Sequence, residues 1–534
     1  MTVAEPFRNA SPESRRSAGL LRSLAAAAAA AVLAAAPGAH AKNLTVAISS
    51  TLTTLDPWNA PDIMSRNVAS SIYEGLMRFD DAMKPVPALA ESYSISKDGL
   101  VYDFKLRAGV KFHDGTDFDA AAVKANFDRA LNPERPASRA SYYKMIDRIE
   151  VVDPLTVRFV LKAPTGGFLA RLAMSAAAMV CPSYLAQYAE NKGLTARACG
   201  TGPYTLESAD LTERVVVTKN PNYRVAGLPK LDRITWMPVA DANARGAMLR
   251  TGEADVISSV PIEQIETLRA SPGIVVEEVP ALMQKHLDLN NYHKPFNDVR
   301  VRQAVNYAIN KEALIKVVFH GHAAAARGLY TKDYPGAIDF GVWPYDPKKA
   351  RELLAEAGYP NGFETTLWSE YNDATAGKTV QFIAQQLRQV GIRVKTQLLE
   401  PGIRSQLIYD VDGPAASKTR MVLSGWSGGT VDPDLVLRSL LDSREMPPKF
   451  FNTTYYNNPA FDKLIDQALV EPDAQKRSDL YREAQQMAWK DAPWAYLYFE
   501  MATAASKTSV KNFRIRPDNT FDFYGAEWSA PSED

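Results

Sequence analysis

The stretch that most restricts the fold runs from Ala88 to Asn132, ALAESYSISKDGLVYDFKLRAGVKFHDGTDFDAAAVKANFDRALN, because turn and cap residues divide it at closely spaced points. Polar and apolar residues alternate on both sides of Lys97-Asp98-Gly99, which predicts two short strands joined by a tight turn. A second turn is predicted at His113-Asp114-Gly115. Asp119 then stands as a cap before an alanine-rich helix. Further along, Asp346 and Pro347 open a helix that Gly358 closes. Another spans about 374 to 390, stops at Gly391 and leads into the strand IRVKTQLL, a helix-to-strand step typical of a parallel sheet. Two more helices are predicted from Pro459 and through QKRSDLYREAQQMAWK. Strands and helices alternate throughout with no repeat or low-complexity tract, which makes this an α/β protein.

Residues 1–41 read as an export signal. Arg8, Arg15, Arg16 and Arg22 precede or begin an apolar run from Leu24 to Ala36, and the small residues Ala39 and Ala41 mark the expected cleavage point. The run is about 13 residues, mostly alanine, where a membrane-spanning helix needs about 20 strongly apolar ones. Ser14-Arg15-Arg16 begins a twin-arginine pattern, but Ala18 stands where that pattern carries a large apolar residue. Both the Sec and the twin-arginine routes stay open. No cysteine stands at the cleavage point to take a lipid, so a soluble periplasmic product is expected.

Cleavage would leave roughly 490 residues, too many for one ordinary core, and at least two lobes are expected. Basic and acidic residues balance at 61 each, which gives no reason to expect nucleic acid or a membrane surface as a partner. The two cysteines, Cys181 and Cys199, are about 18 residues apart, and in an oxidising compartment a bridge between them would contribute roughly 3 kcal/mol. The alternative is two buried thiols.

Signatures of catalysis are scarce. The histidines after residue 41 are His113, His286, His293, His320 and His322, without His-Glu-x-x-His spacing, and no Cys-x-x-Cys occurs. His320-Gly321-His322 offers either a metal-binding pair or two loop histidines at a helix end. Gly200-Thr201-Gly202-Pro203 lacks the Gly-Lys-Ser/Thr of a phosphate loop, and Pro203 removes a backbone donor. No Gly-x-Ser-x-Gly elbow is present. An exported hydrolase would need a nucleophile, a base and an orienting group. None of these is evident, and no cofactor is expected.

The Ala88–Asn132 run resembles the signature of the dipeptide, oligopeptide and nickel class of solute-binding proteins, which hand ligands to ATP-driven importers. The resemblance implies binding without chemistry and a two-lobed periplasmic-binding-protein fold (type II, cluster C) with an extra subdomain on lobe one. It places lobe one at 42–283 with the subdomain at about 77–198, lobe two at 284–499, and the return to lobe one at 500–534. The crossings would fall near Leu282-Met283-Gln284 and Phe499-Glu500, forming a hinge. GTGPY becomes a turn entering a strand. An inner-membrane permease with ATPase subunits is the implied protein partner, and a monomer is expected.

Longer segments sharpen this. TLDPWNAPDIMS, LPKLDRITWMPVADANARGAMLRTGEA, WPYDPKKARELLAEAGYPNGF, LWSEYNDATAGKTVQFIAQQLRQVGI, TRMVLSGWSGG and PPKFFNTTYYNNPAFDKLIDQAL are similar to the glutathione-binding branch of the class. Glutathione offers two carboxylates, an ammonium and a thiol, so a closed cleft should present an arginine fork and an acid. Peptide binders of the class place an aspartate three residues after the tryptophan of a Gly-Trp motif to hold the peptide ammonium. Here the motif reads Gly425-Trp426-Ser427-Gly428-Gly429, and Gly429 has no charge to give. An ordinary dipeptide would bury an unpaired ammonium, whereas a γ-linked glutamyl group carries its amine elsewhere. The resemblance makes Arg420 and Arg404 candidates for the ligand's carboxylates, against surface ion pairs. Arg245 lies in a run common to the wider class and reads as structural. Trp426 and Trp368 offer flat faces for a peptide plane or a methylene chain, or else belong to the core. Tyr73, Glu74, Tyr142, Ser427 and Gly428 border the expected site, and Glu74 or Asp432 would take the ammonium unless they serve local turns. Glutathione or a related γ-glutamyl peptide is the expected ligand. An ordinary di- or oligopeptide comes next, and a nickel, haem or other metal chelate after that.

Overall fold

In the computed structural model, residues 42–188, 194–427 and 431–529 are described. The expected export segment, Gly428 and Gly429 lie outside them. The Ala88–Asn132 run folds as its turn residues dictate. Strands Ala90–Ile95 and Val101–Leu106 pair antiparallel, with Gly99 at φ 70° and Gly115 at φ 85° in the two turns. The Asp119 carboxylate accepts from the Ala122 amide and opens helix Ala120–Ala130. Thr156–Leu161 and Ile146–Asp153 complete a four-stranded antiparallel sheet. Its inner face meets the helix through edge-to-face rings, with Phe127 and Phe159 centred 5.1 Å apart, and Trp58 from the preceding loop joins them 5.0 Å from Phe127. Such pairs add about 0.5–1.5 kcal/mol each beyond the area they bury. Cys181 and Cys199 are bonded across this core, their Cα atoms 5.4 Å apart, and the Cys181 amide donates to the Cys199 carbonyl at 2.9 Å.

A second sheet, of 11 strands among the described residues, carries most of the remaining strands. Two long strands run through its middle, Ile274–Leu289 and Trp494–Lys507. They pair antiparallel, and the register breaks between Pro280, opposite Met501, and Gln284, opposite Phe499. Pro280 has no N–H to donate, which suits it to such a break. Before the break the pair adjoins Val256–Ser258, Asn43–Ile48 and Arg233–Pro238. Beyond it lie Met421–Trp426, Phe363–Ser369 and Ile392–Leu398. Each half has its own core. Leu44, Val46, Ile234, Trp236 and Val256 are buried together on one side, and Leu287, Leu289, Val305, Leu367 and Leu423 on the other. The result is two lobes threaded by two strands.

The four helices predicted in the later part of the chain form, each behind a capping residue. Pro347–Glu356 follows Asp346, Ala374–Arg388 follows Asp373, Pro459–Val470 follows Asn458, and Ala474–Asp491 follows Asp473. In each the capping oxygen accepts from a first-turn amide, which removes one orphan donor and contributes about 1 kcal/mol. Phe363–Ser369 and Ile392–Leu398 are parallel neighbours joined by the Ala374–Arg388 helix, the predicted crossover. His320 and Gly321 form a positive-φ turn, and His322 Nδ1 lies 2.9 Å from a Glu278 carboxylate oxygen.

Candidate functional site

A cavity of about 600 Å³ opens where the lobes face each other, well inside the range of roughly 300–1,000 Å³ usual for small-molecule sites. Helix Ile63–Ile72 supplies one wall, capped by Asp62, which accepts from the Ser65 amide. The chain then turns extended at Tyr73, carrying Tyr73, Glu74 and Gly75 along the cavity. Gly200 and Gly202 hold that segment in place. A Cβ on either glycine would collide with the Ile72 backbone, and the Gly202 amide donates to the Ile72 carbonyl at 2.9 Å. GTGPY is therefore a turn into strand Tyr204–Asp210, and its glycines are needed for close approach.

The opposite wall comes from the end of strand Met421–Trp426. Gly425 has no side chain because a Cβ there would meet the Gln284 carbonyl and the Lys285 and Tyr371 side chains. Trp426 and Ser427 then line the cavity with Phe451, whose ring centre is 5.3 Å from that of Trp426. The C-terminal segment contributes Asp518, Phe521 and Phe523. Aromatic faces thus exclude water on several sides.

Charge is concentrated among these rings. Arg66, Arg78, Arg139 and Arg516 line the cavity, as do Asp62, Glu74, Asp518 and Asp522. Two of the acids are already paired: Glu74 with Arg224 at 2.6 Å, and Asp522 with Arg516 at 2.6 Å. Glu74 also accepts from the Tyr223 hydroxyl at 3.0 Å and the Thr201 hydroxyl at 3.2 Å. Arg66, Arg78 and Arg139 form no ion pair among the described residues; their side-chain partners are carbonyls of Pro61 and Phe79 and the Tyr142 hydroxyl. Four buried polar atoms of lining residues have no hydrogen-bond partner in the protein: the Tyr73 and Tyr204 hydroxyls, Trp426 Nε1 and Arg516 Nε. An unmet buried donor or acceptor costs about 1–3 kcal/mol. Burial, then the nearby Asp56, raises the Tyr73 hydroxyl well above its ordinary pKa, which keeps it a neutral donor.

The residues singled out from sequence separate into two groups. Tyr73, Glu74, Tyr142, Trp426 and Ser427 meet at the cavity. Arg420, Arg404, Trp368 and Asp432 are not among its lining residues. Arg420 donates to the Thr419 carbonyl at 2.7 Å. Arg404 donates to the Glu370 carbonyl at 3.2 Å. Trp368 packs beside Leu399, Ile408 and Val422. Asp432 is buried against Arg171, 3.3 Å from its Nη2, and caps helix Pro433–Leu441. Arg245 is structural, its guanidinium donating to the carbonyls of Val239, Ala240, Ser258 and Ser259. Sequence reasoning missed Arg66, Arg78, Arg139 and Asp518. A faint signal existed for Arg66, a cation in the first turn of a helix, where the dipole disfavours it.

Residues 84–448 match the family described as bacterial extracellular solute-binding proteins, family 5 Middle. Over 512 residues the sequence is 45% identical to the glutathione-binding protein GsiB of Pectobacterium atrosepticum, covering 95% of this chain and 98% of that one. Against GsiB of Salmonella typhimurium it is 45% identical over 504 residues, covering 94% and 98%. Among solved structures, HbpA2 from Haemophilus parasuis matches with a TM-score of 0.82 at 26% identity, over 91% of this chain and 100% of that one. The periplasmic binding protein DppA from Helicobacter pylori, in complex with the peptide STSA, matches with a TM-score of 0.74 at 30% identity, over 91% and 98%. A chain with two lobes, a lined cavity between them and relatives along nearly its whole length belongs to family 5 of the bacterial extracellular solute-binding proteins.

Proposed function

We propose that this chain is the periplasmic receptor of an ATP-driven importer and that it captures glutathione, or a closely related γ-glutamyl peptide, between its lobes. The carrying observation is the set of three cavity arginines without an ion pair, Arg66, Arg78 and Arg139, which suits a ligand with more than one carboxylate. The nearly full-length likeness to glutathione-binding relatives supports the same ligand. In this reading the carboxylate role expected of Arg420 and Arg404 passes to those three. Asp518, whose carboxylate accepts hydrogen bonds from Thr520 of its own turn, takes the ammonium in place of Glu74 or Asp432. Tyr73, Tyr142, Trp426 and Ser427 keep their expected place around the ligand.

Residues 1–41 serve as the export signal in this account, and the passage between lobes lies at 281–283 and 500, where the two long strands lose register. The ligand touches both lobes only when they are shut, so its differential affinity shifts the population toward the form a permease recognises. It leaves unaltered. The second reading, a receptor for ordinary dipeptides, is favoured by the peptide-bound neighbour and disfavoured by Gly429 at the ammonium position. Titration calorimetry with reduced glutathione, oxidised glutathione and dialanine separates them. Heat with either form of glutathione is the expected result, and heat with dialanine alone overturns the choice of ligand.

A further inference from the structure

One cavity arginine, Arg66, stands in surroundings that oppose its charge, and a second, Arg139, stands beside it. Arg66 lies in the first turn of helix Ile63–Ile72, at the positive end of the helix dipole. Its Nη1 donates to the Pro61 carbonyl at 3.3 Å, and Nη2 of Arg139 donates to the same oxygen at 2.8 Å. Like charges thus share one neutral acceptor. Arg139 also reaches the Tyr142 hydroxyl at 3.5 Å and lies over the Tyr142 ring, 5.5 Å from its centre. The nearby acids are committed elsewhere. Asp62 accepts from the Thr53 hydroxyl at 2.6 Å and the Ser65 amide at 2.7 Å, and Asp518 accepts from Thr520. Burial, then Arg139, holds the Arg66 pKa below its ordinary value, and Asp518 and Asp62 restore only part.

A guanidinium has five N–H donors, and the protein uses few of those on this pair. From this juxtaposition of two guanidiniums on one carbonyl at a cavity wall, we infer that Arg66 and Arg139 form a carboxylate-reading subsite, the point at which the receptor demands an anionic end on its ligand. The inference rests on the cavity being the ligand site and deepens that reading. A carboxylate placed between the two accepts from both forks in charge-assisted bonds and relieves like-charge repulsion, burial and dipole together. A structural pair would instead be held by an acid of the protein.

The test uses the whole mature protein and the variants Arg66→Gln and Arg139→Gln, titrated with reduced glutathione and with dialanine, each also melted without ligand. Each variant is expected to weaken glutathione at least tenfold, about 1.4 kcal/mol. Arg66→Gln is expected to melt, ligand-free, at or above the wild-type temperature because a repulsion is gone. If wild type binds glutathione and both variants bind it within twofold, the subsite is wrong and the receptor reading stands. If wild type binds only dialanine and Arg139→Gln weakens that tenfold, glutathione is wrong and the subsite stands. A ligand-free melting temperature that falls by several degrees in Arg66→Gln shows a structural cation and overturns the proposal.

Discussion

Lys311 shows at the scale of one residue how little a letter in the sequence says about its surroundings. In AINKEALIKVV it reads as an ordinary helix-surface lysine, yet it is 1% exposed, and its ammonium donates to the Asn306 carbonyl. Burial pushes its pKa down from 10.5 to about 7. Below pH 7 both the folded and unfolded chains hold the proton. Between about 7 and 10.5 the folded chain has released a proton that the unfolded chain keeps, so stability from this group rises with pH across that window. Urea midpoints of wild type and Lys311→Met at pH 6, 8 and 9.5 should show wild type gaining on the variant as pH rises. Parallel curves would remove Lys311 from the account. The meeting of Arg66 with Arg139 was illegible for the same reason. Nothing in IMSRNVAS or PASRASYY marks an arginine that faces another one 73 positions away. Trp426 was legible because Gly425 before it carries a local motif.

Among the elements, the helices with local start signals were read correctly at Asp119 and Asp346, since a cap is satisfied within three residues. Asp373, Asn458 and Asp473 cap the other predicted helices in the same way. The short helix Phe168–Leu172 carries a different lesson. Gly166 and Gly167 before it have ordinary backbone angles, and their reason is contact: a Cβ on Gly166 would strike Arg477, and one on Gly167 would strike the Asp432 carboxylate. The Gly166 amide donates to Leu469 at 3.3 Å, and Arg171 on the helix meets Asp432 and the Tyr142 carbonyl. Elements far apart in sequence, on either side of the long strand Ile274–Leu289, are thereby clasped. Overpacking costs about 1–3 kcal/mol, so Gly167→Ala should weaken every ligand by roughly tenfold while leaving their order of preference unchanged. Calorimetry with two ligands checks this, and an unaltered affinity means the clasp does not couple to binding.

For the whole molecule, binding and stability are linked because the unfolded chain has no cavity. At a hundred times its dissociation constant, glutathione should add about 2.7 kcal/mol to the free energy of unfolding, seen as a raised melting temperature that depends on ligand concentration. A melting temperature indifferent to glutathione and raised by dialanine would favour the dipeptide reading. The two-lobe arrangement couples this linkage to the two long strands that run through both halves, whose pairing is interrupted between Pro280 and Gln284.

By itself the sequence determined the kinds of element and their limits, the α/β alternation, the turns at Gly99 and Gly115, the GTGPY turn and the approach of Trp426 to the site. The elements and the turns at Gly99 and Gly115 depend on backbone angles and hydrogen bonds a few residues apart, and such forces are written locally, whereas the GTGPY turn and the place of Trp426 came from the family resemblance. Tertiary structure alone decided which charges meet. It paired Glu74 with Arg224, Asp432 with Arg171 and Arg66 with Arg139, and it left Arg420 and Arg404 off the cavity wall. The strength of a charge depends on burial and on partners brought from distant positions, and those exist only once the chain has closed on itself.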